Sequence, residues 1–420
     1  MKICVLGLGY IGLPSALLLA TNGHNVVGVD INDEIVETIS KGTVPFNEPM
    51  LSELLKRAME SGNFTAKKEV EDADVFLIAV PTPLDKEMRV AELRHVRLAT
   101  EAVYLHLKKN NLVILESTVP PGTCEKLLVP ILEKSGLKVG EDFYLAHCPE
   151  RAMPGDTINE MINNDRVIGG IDGKSAELAK SLYSCFVRGG IYLVDIKTAE
   201  FVKLMENTFR DVNIALANEF AQIAEESGIN VWNAIELANK HPRVNILKPG
   251  PGVGGHCIAI DPWFLTENST RCRMISLSRE INDSMPNYVL QMVKKLLEGV
   301  KEPVITVFGV AYKGDVDDTR ETPALKFIKL AENEGYKVKI YDPVVKVFRY
   351  KKILELDEAL RDSDCIVLIA EHTKFKEIEP RNIIEKMRNK NIVDTRNMLD
   401  HKKWKEAGFS VKVLGDGSCL

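Results

Sequence analysis

Short apolar runs alternate with longer mixed segments along most of the chain. At the N-terminus KICVL is apolar after its lysine and runs into Gly7, Gly9 and Gly12, a pattern that predicts a buried strand and a tight turn. The stretch EPVITVFGVAYKGD, from Glu302, repeats the plan with Gly309 and Gly314. NVVGVDIN, which reaches Asp30, is matched by KVKIYDP, which reaches Asp342. DADVFLIAVPT (72–82) is matched by DSDCIVLIAEHT (362–373), and LVILESTV (112–119) by NIVDTRN (391–397). Strands buried on both faces of a parallel sheet read as near-continuous apolar runs. Four such runs in one order, separated by helix-length segments, predict an α/β fold of two Rossmann-like, doubly wound parallel-sheet domains.

Between them the texture changes. TAEFVKLMENTFRDVNIALANEFAQIAEESGIN (198–230) contains no proline and predicts one long helix ended at Gly228, with further helices over 232–240 and 271–297. A central helical domain (197–298) therefore joins an N-terminal domain (1–196) to a C-terminal one (299–420), and it is the natural place for contacts in a homodimer. Phe201, Val202, Leu204, Met205, Phe209, Val212, Ile214, Leu216 and Phe220 cover nearly every side of the long helix, which predicts that it is buried all round. Lys203 and Asn207 lie one turn apart on it and share a face, with Asn218 further along. A buried ammonium beside an amide is suited to holding a developing oxyanion.

Composition narrows the classes of function. A length of 420 residues fits two or three domains, and 45% hydrophobic with 27% charged residues describes an ordinary globular protein. The net charge of −6 supplies no basic field for nucleic acid or an anionic membrane surface. No segment is apolar and long enough to span a bilayer, and the glycines at Gly7, Gly9 and Gly12 break the N-terminal run that could otherwise pass for a signal peptide. The eight cysteines include no C-x-x-C pair, which argues against a metal cluster and against a disulfide framework; a reducing cytoplasm fits best. The Lys- and Glu-rich surface hints at a hot environment.

The first glycine turn, GLGYIG with Tyr10 and Ile11 between its glycines, follows a strand and opens a helical run. In that context the glycines allow close backbone approach, and the helix N-terminus faces the pyrophosphate of a dinucleotide. Asp30 ends the second strand at the expected distance, where a carboxylate accepts from ribose hydroxyls and repels a 2′-phosphate, so NAD is favoured over NADP. Strand ends at VPTP, with Pro81 and Thr82, and at ESTV, with Ser117 and Thr118, should line the same crevice.

The loop PGPGVGGHCIAIDPWF (249–264) places Cys257 after a run of glycines, where backbone amides and neighbouring cations can favour the thiolate. Cys4 and Cys365, by contrast, sit in apolar strands as inert core residues do. Asp261, four residues on, serves the same site if a helical turn begins there. A thiol, a carboxylate, a buried lysine and an NAD fold together suggest covalent oxidation at the aldehyde level.

GLGYIGLP (7–14), VPTP, ESTVPPGT (116–123), HCPERAMPG (147–155), NDRVIGG (164–170), AEFVKLMENTFRDVNIALANE (199–219), HPRVNILKPGPGVGGHCIAIDPWF (241–264) and GVAYKGDVDDTRETPA (309–324) together resemble the UDP-glucose/GDP-mannose dehydrogenase family over essentially the whole length. The resemblance implies oxidation of C6 of a UDP-sugar from alcohol to carboxylate with two NAD in succession. By that resemblance Asp261, with Lys203, accepts the hydroxyl proton; Cys257 forms a thiohemiacetal and then a thioester; Lys203 and Asn207 hold the oxyanion; and Asp261 or Glu150 serves as base in hydrolysis. Thr118 would position water or substrate. Glu150, Arg151, Arg243 and the loop glycines Gly250, Gly252, Gly254 and Gly255 would contact the sugar nucleotide, with Arg243 reaching a neighbouring subunit's site. Tyr312, Lys313 and Arg396 would face the UDP-sugar, and Arg320 the cofactor phosphates. For Arg396 a solvated arginine after a strand is the rival reading.

Within the family, GGHC points to an acetamido-sugar branch, Ala259 with Trp263 and Phe264 leans towards UDP-N-acetylmannosamine, and UDP-N-acetylglucosamine or UDP-glucose are the alternatives. A catalytically silent sugar-nucleotide-binding protein on the same fold is a rival of another class, against which the intact Cys257, Lys203, Asn207 and Asp261 argue.

Overall fold

A computed structural model describes residues 1–46, 48–153 and 155–418. The chain divides into two compact units, Met1–Glu206 with Trp263–Ser269, and Asn207–Pro262 with Thr270–Leu420.

In the first unit the strands of the main sheet are β1 (Lys2–Leu6), β2 (Asn25–Val29), β3 (Phe64–Lys67), β4 (Val75–Ile78), β5 (Leu112–Leu115), β6 (Tyr144–His147), β7 (Arg166–Gly170) and β8 (Ile191–Asp195). They form one sheet in the order β3-β2-β1-β4-β5-β6-β7-β8. All neighbours run parallel except β6 and β7. The first six strands thus follow the doubly wound dinucleotide order, with two more added at the far edge. Alternate residues feed two cores: Ile3 and Val5 point to one face of the sheet, Cys4 and Leu6 to the other. Helix α1 (Gly12–Thr21) is buried over Gly12–Ala20, which is why its sequence, GLPSALLLAT, shows no polar stripe.

The second unit contains β9 (Val304–Phe308), β10 (Lys337–Tyr341), β11 (Cys365–Leu368), β12 (Asn391–Asp394) and β13 (Ser410–Val413), all parallel, in the order β10-β9-β11-β12-β13. The echo between the two halves extends to single hydrogen bonds. Leu8 N donates to Asp30 Oδ2 at 2.9 Å, and Val310 N donates to Asp342 Oδ2 at 2.7 Å. The second unit has no counterpart of β3 among its described residues.

The long helix α2 (Ile196–Glu226) is unbroken over 31 residues, starting slightly before and ending short of the predicted limits. Its burial corrects the sequence expectation. Phe201, Met205, Phe209, Leu216, Phe220 and Ile223 are exposed, Phe209 at 63%, while Glu200, Lys203, Asn207, Asp211 and Asn218 are buried. At 100° per residue the exposed six fall on one stripe and the buried five on the opposite side, so a tally of apolar residues misread what is an amphipathic helix with its apolar face outward. Helices α3 (Val231–Ala238), α4 (Asp261–Thr266) and α5 (Arg273–Leu296) follow. No helix among the described residues is long and apolar enough to cross a membrane.

Candidate active site

The glycine turn and the strand ends beside it belong to the first unit. Gly7 takes φ +93°, and a Cβ there would lie 2.5 Å from Ala79 O; a Cβ on Gly12 would lie 1.9 Å from Gly7 O. Only glycine therefore lets the turn between β1 and α1 close this tightly and bare its backbone amides to a phosphate. Asp30 accepts from Leu8 N and, through Oδ1, from Asn32 N at 2.9 Å, which fixes the carboxylate at the end of β2 while leaving it partly exposed. These residues fit a dinucleotide with an unphosphorylated ribose. In the second unit the matching Asp342 is 5% exposed and closed by His372, whose Nε2 lies 3.1 Å from Oδ2. The counterpart of Asp30 is thus committed to structure. Tyr10 stacks on Phe46 with centroids 4.3 Å apart, Thr82 and Ser117 are buried beside the strand ends, Thr118 and Ile11 are partly buried, and Pro81 is exposed.

Beneath ESTV lies a polar cluster that the sequence reading missed. Glu116 Oε1 accepts from Tyr183 Oη at 2.6 Å and Oε2 from Ser15 Oγ at 2.9 Å. Burial raises its pKa to about 7, with Glu150 adding to the rise and Arg166 and the two hydroxyl donors opposing it. Because the folded-state value lies above the unfolded one of 4.5, the folded protein holds a proton that the unfolded chain releases, so this contribution to stability is complete below pH 4.5 and is lost as pH rises through about 7. Glu116→Gln, which mimics the protonated acid, is expected to flatten that dependence: relative to the variant, wild type should lose about 3 kcal/mol between pH 4.5 and 8. Denaturant unfolding at both pH values checks this, and parallel pH profiles for the two proteins would refute it.

Glu150 is held from three sides. Oε1 accepts from Arg151 N at 2.7 Å and Ala152 N at 2.9 Å, and Oε2 from Arg166 Nη2 at 2.8 Å. Arg151 in turn grips Glu206, with Nε to Oε2 at 3.0 Å and Nη2 to Oε1 at 2.5 Å. His147 is fully buried and burial pushes its pKa down to about 3, so it stays neutral and offers no base at physiological pH. Cys148, raised to about 12 by burial, stays a thiol. Lys203 is 8% exposed, and among the described residues no carboxylate pairs with its ammonium. A buried, unpaired cation is costly unless a ligand supplies the charge, which is the property expected of a substrate-binding lysine. One turn earlier on α2, Glu200 accepts from Cys124 N at 2.8 Å and from Gly122 N, tying the ESTVPPGT loop to the helix that carries Lys203.

The cysteine loop belongs to the second unit. Cys257 is exposed, and Asp261 N donates back to Cys257 O at 2.8 Å, so a turn does begin at the cysteine and leads into α4. Asp261 is 3% exposed, and its Oδ2 accepts from Asn207 Nδ2 at 2.6 Å. Asn207 follows Lys203 by one turn of the same helix. His256 is held below its ordinary pKa by burial and then by the Arg320 charge, so the neighbour of the cysteine is neutral imidazole at neutral pH, not the cation that would favour a thiolate. A Cβ on Gly254 would lie 2.8 Å from Tyr312 Cβ, and one on Gly255 2.9 Å from the Tyr312 ring. The glycines of this loop let it lie flat on Tyr312, whose hydroxyl burial raises to about 12.

Arg320 Nε and Nη2 bind Asp318 at 3.0 and 2.6 Å, and its carbonyl accepts from Gly255 N at 3.0 Å. The Arg396 side chain is 18% exposed; its Nε donates to Ile369 O at 2.9 Å and lies 2.9 Å from Glu371 Oε2 in an ion pair, and a Cβ on Gly250 would meet its Nη1 at 2.7 Å. It packs on the glycine loop instead of pointing into solvent. Lys313 is partly buried, and Gly252 adopts φ +122°. Arg243 is exposed at the start of the loop, apart from these contacts.

Comparison with known proteins places this arrangement. Residues 1–187 match the NAD binding domain of the UDP-glucose/GDP-mannose dehydrogenase family, 197–284 its central domain and 306–401 its UDP binding domain. A UDP-N-acetyl-D-mannosamine dehydrogenase of Methanocaldococcus jannaschii is 52% identical over 424 residues, covering 99% of this chain and 97% of the relative. An NDP-N-acetyl-D-galactosaminuronic acid dehydrogenase of Ralstonia solanacearum is 43% identical over 96% of this chain and 97% of its own length. The solved structure of the UDP-D-ManNAc dehydrogenase of Pyrococcus horikoshii superposes with a TM-score of 0.94 at 43% identity, over 100% of both chains.

Proposed function

Since the chain belongs to the UDP-glucose/GDP-mannose dehydrogenase family along its whole length, we propose that it oxidises C6 of UDP-N-acetyl-D-mannosamine from alcohol to carboxylate. The observation that carries the choice of sugar is the 52% identity, over 99% of the chain, to a relative of that name. Residues 1–196 serve the cofactor, 197–298 assembly and part of the catalysis, and 299–420 the uridine nucleotide.

NAD, cradled by Gly7, Gly9, Tyr10, Ile11, Gly12 and Asp30 with the strand ends at Pro81, Thr82, Ser117 and Thr118, supplies the hydride acceptor for both oxidations. Arg320 answers its phosphates. In the first oxidation Asp261 takes the C6 hydroxyl proton, helped by the Lys203 charge. The Cys257 sulfur then bonds to the aldehyde carbon, and Lys203 and Asn207 stabilise the resulting alkoxide. Loss of the second hydride from that carbon leaves a thioester. Attack by water, ordered by Thr118, breaks the carbon–sulfur bond and returns the Cys257 thiol. Asp261 or Glu150 serves as base for this step. The sum consumes one water and two NAD and releases three protons. Arg151, Arg243, Tyr312, Lys313, Arg396 and the loop of Gly250, Gly252, Gly254 and Gly255 hold the sugar nucleotide. A thiol nucleophile of this kind suits a reducing cytoplasm.

The test is NADH formed per sugar under limiting UDP-N-acetylmannosamine, UDP-N-acetylglucosamine and UDP-glucose in parallel. Two NADH per molecule, fastest with the mannosamine compound, supports the reading. One NADH removes the covalent route, and silence with all three moves the chain to another sugar nucleotide or to a binding role.

A homodimer accounts for the exposed stripe of α2. Six large apolar side chains on one helical face exceed the scatter of single exposed residues normal for a monomer. Phe209→Glu is expected to convert the dimer to monomer in light scattering at micromolar concentration; an unchanged mass would place the interface elsewhere.

A further inference from the structure

Residues 244–250 have no regular secondary structure, yet their backbone is paired almost as if in a sheet. The partners are asparagine side chains, whose amide carries the same donor and acceptor as a peptide group. Asn213, on α2, donates from Nδ2 to Asn245 O at 3.0 Å and accepts at Oδ1 from Leu247 N at 2.9 Å. Asn239, just past α3, accepts at Oδ1 from Ile246 N at 2.7 Å and donates from Nδ2 to Ile246 O at 2.9 Å. Asn218, again on α2, accepts at Oδ1 from Gly250 N at 2.8 Å. Residues 245 and 247 are thus held by one amide and residue 246 by another, as a central strand is held by its neighbours.

Asn218 is itself fixed from behind. Its Nδ2 donates to Asn282 Oδ1 at 2.9 Å, and Asn282 Nδ2 donates to Asp211 Oδ1 at 2.8 Å. Asp211 Oδ1 also accepts from Arg279 Nη1 at 2.5 Å. All four side chains are essentially excluded from solvent. On its other side Gly250 meets Arg396, so the height of this glycine is set between Asn218 and the arginine.

We propose that Asn213, Asn239 and Asn218 are positioning residues for the sugar nucleotide, holding residues 245–250 as a preformed strip that presents the glycine loop to the ligand. The proposal rests on the assignment of that loop to the sugar nucleotide. A loop ordered before binding spares the ligand the entropy of ordering it. Removing Asn218 frees the strip and leaves the buried Gly250 N–H without an acceptor.

The experiment is calorimetric titration of UDP-N-acetylmannosamine, and separately of NAD, into the full-length protein carrying Asn218→Ala or Asn213→Ala, with initial rates alongside. The expected result is a Kd and KM for the sugar nucleotide raised about tenfold by Asn218→Ala and severalfold by Asn213→Ala. At saturating sugar kcat should stay within about twofold, and the Kd for NAD should not move. An unchanged sugar Kd, or equal losses in kcat and NAD affinity, overturns the proposal and leaves the asparagines a general structural role. Should Asn218→Ala fail to fold, Asn213→Ala decides alone by the same criteria. Wild-type protein that does not bind the sugar nucleotide would instead defeat the functional assignment.

Discussion

Cys257→Ser is expected to lower kcat for the complete oxidation by at least about a thousandfold, while the sugar nucleotide and NAD still bind with nearly wild-type affinity. The loss should be in chemistry because Cys257 is exposed on a turn made by backbone bonds from Ile260 N and Asp261 N, which serine keeps. A serine hydroxyl at this position is a poor nucleophile, since it ionises far less readily than a thiol and the adjacent His256 is held neutral by partial burial and the Arg320 charge. The variant should therefore stop near the aldehyde level, and a single-turnover mixture should show one NADH in place of two. If Cys257→Ser retains a tenth or more of wild-type kcat, the thioester route is wrong and Asp261 must activate water directly.

Arg279→Leu should cost about 3–5 kcal/mol of stability in the second unit. Arg279 and Asp211 are 1% and 0% exposed and meet at 2.5 Å, so removing the cation strands a carboxylate that burial already pushes above its usual pKa. Asp211 Oδ2 and Arg279 Nε have no hydrogen-bond partner among the described residues, which marks the pair as expensive to bury and dependent on mutual charge. The double variant Arg279→Leu with Asp211→Asn should recover much of the loss, because no unpaired charge remains. Urea denaturation followed by tryptophan fluorescence reads both, since Trp232 and Trp404 lie in this unit. A single-variant cost below about 1 kcal/mol, the scale of an exposed pair, would mean that water reaches the site.

Much of the architecture was legible because parallel strands write themselves as apolar runs: Val304–Phe308 and Cys365–Leu368 lie where the repeats in the sequence put them. Cys257 and the GLGYIG turn were legible because glycine has few reasons to cluster beside a strand or a thiol. The facing of α2 was not. Its apolar content pointed to burial, whereas Phe209 and Phe220 are outside and Asp211 and Asn218 inside, a distribution that depends on partners far along the chain. The asparagine contacts were hidden for a related reason. Asn213 and Asn218 reach backbone 32 residues away, and an amide on a helix reads the same whether it meets a loop or water. Glu116 and Glu200 stood inside quoted motifs, where a carboxylate embedded in ESTV or AEFVK could have signalled a buried acceptor.

One helix, α2, carries Lys203, Asn207 and Asn218 on its inner face, Asn213 on its flank and the phenylalanine stripe on its outer face. A single inserted residue would turn everything beyond it by about 100° and carry the inner series off its face, and a deletion would do the same in reverse. Along these 31 residues the chain can therefore change letters far more readily than length: the helix acts as a ruler whose divisions are fixed by the pitch of the backbone, and gaps in this stretch are the kind of change the fold least tolerates.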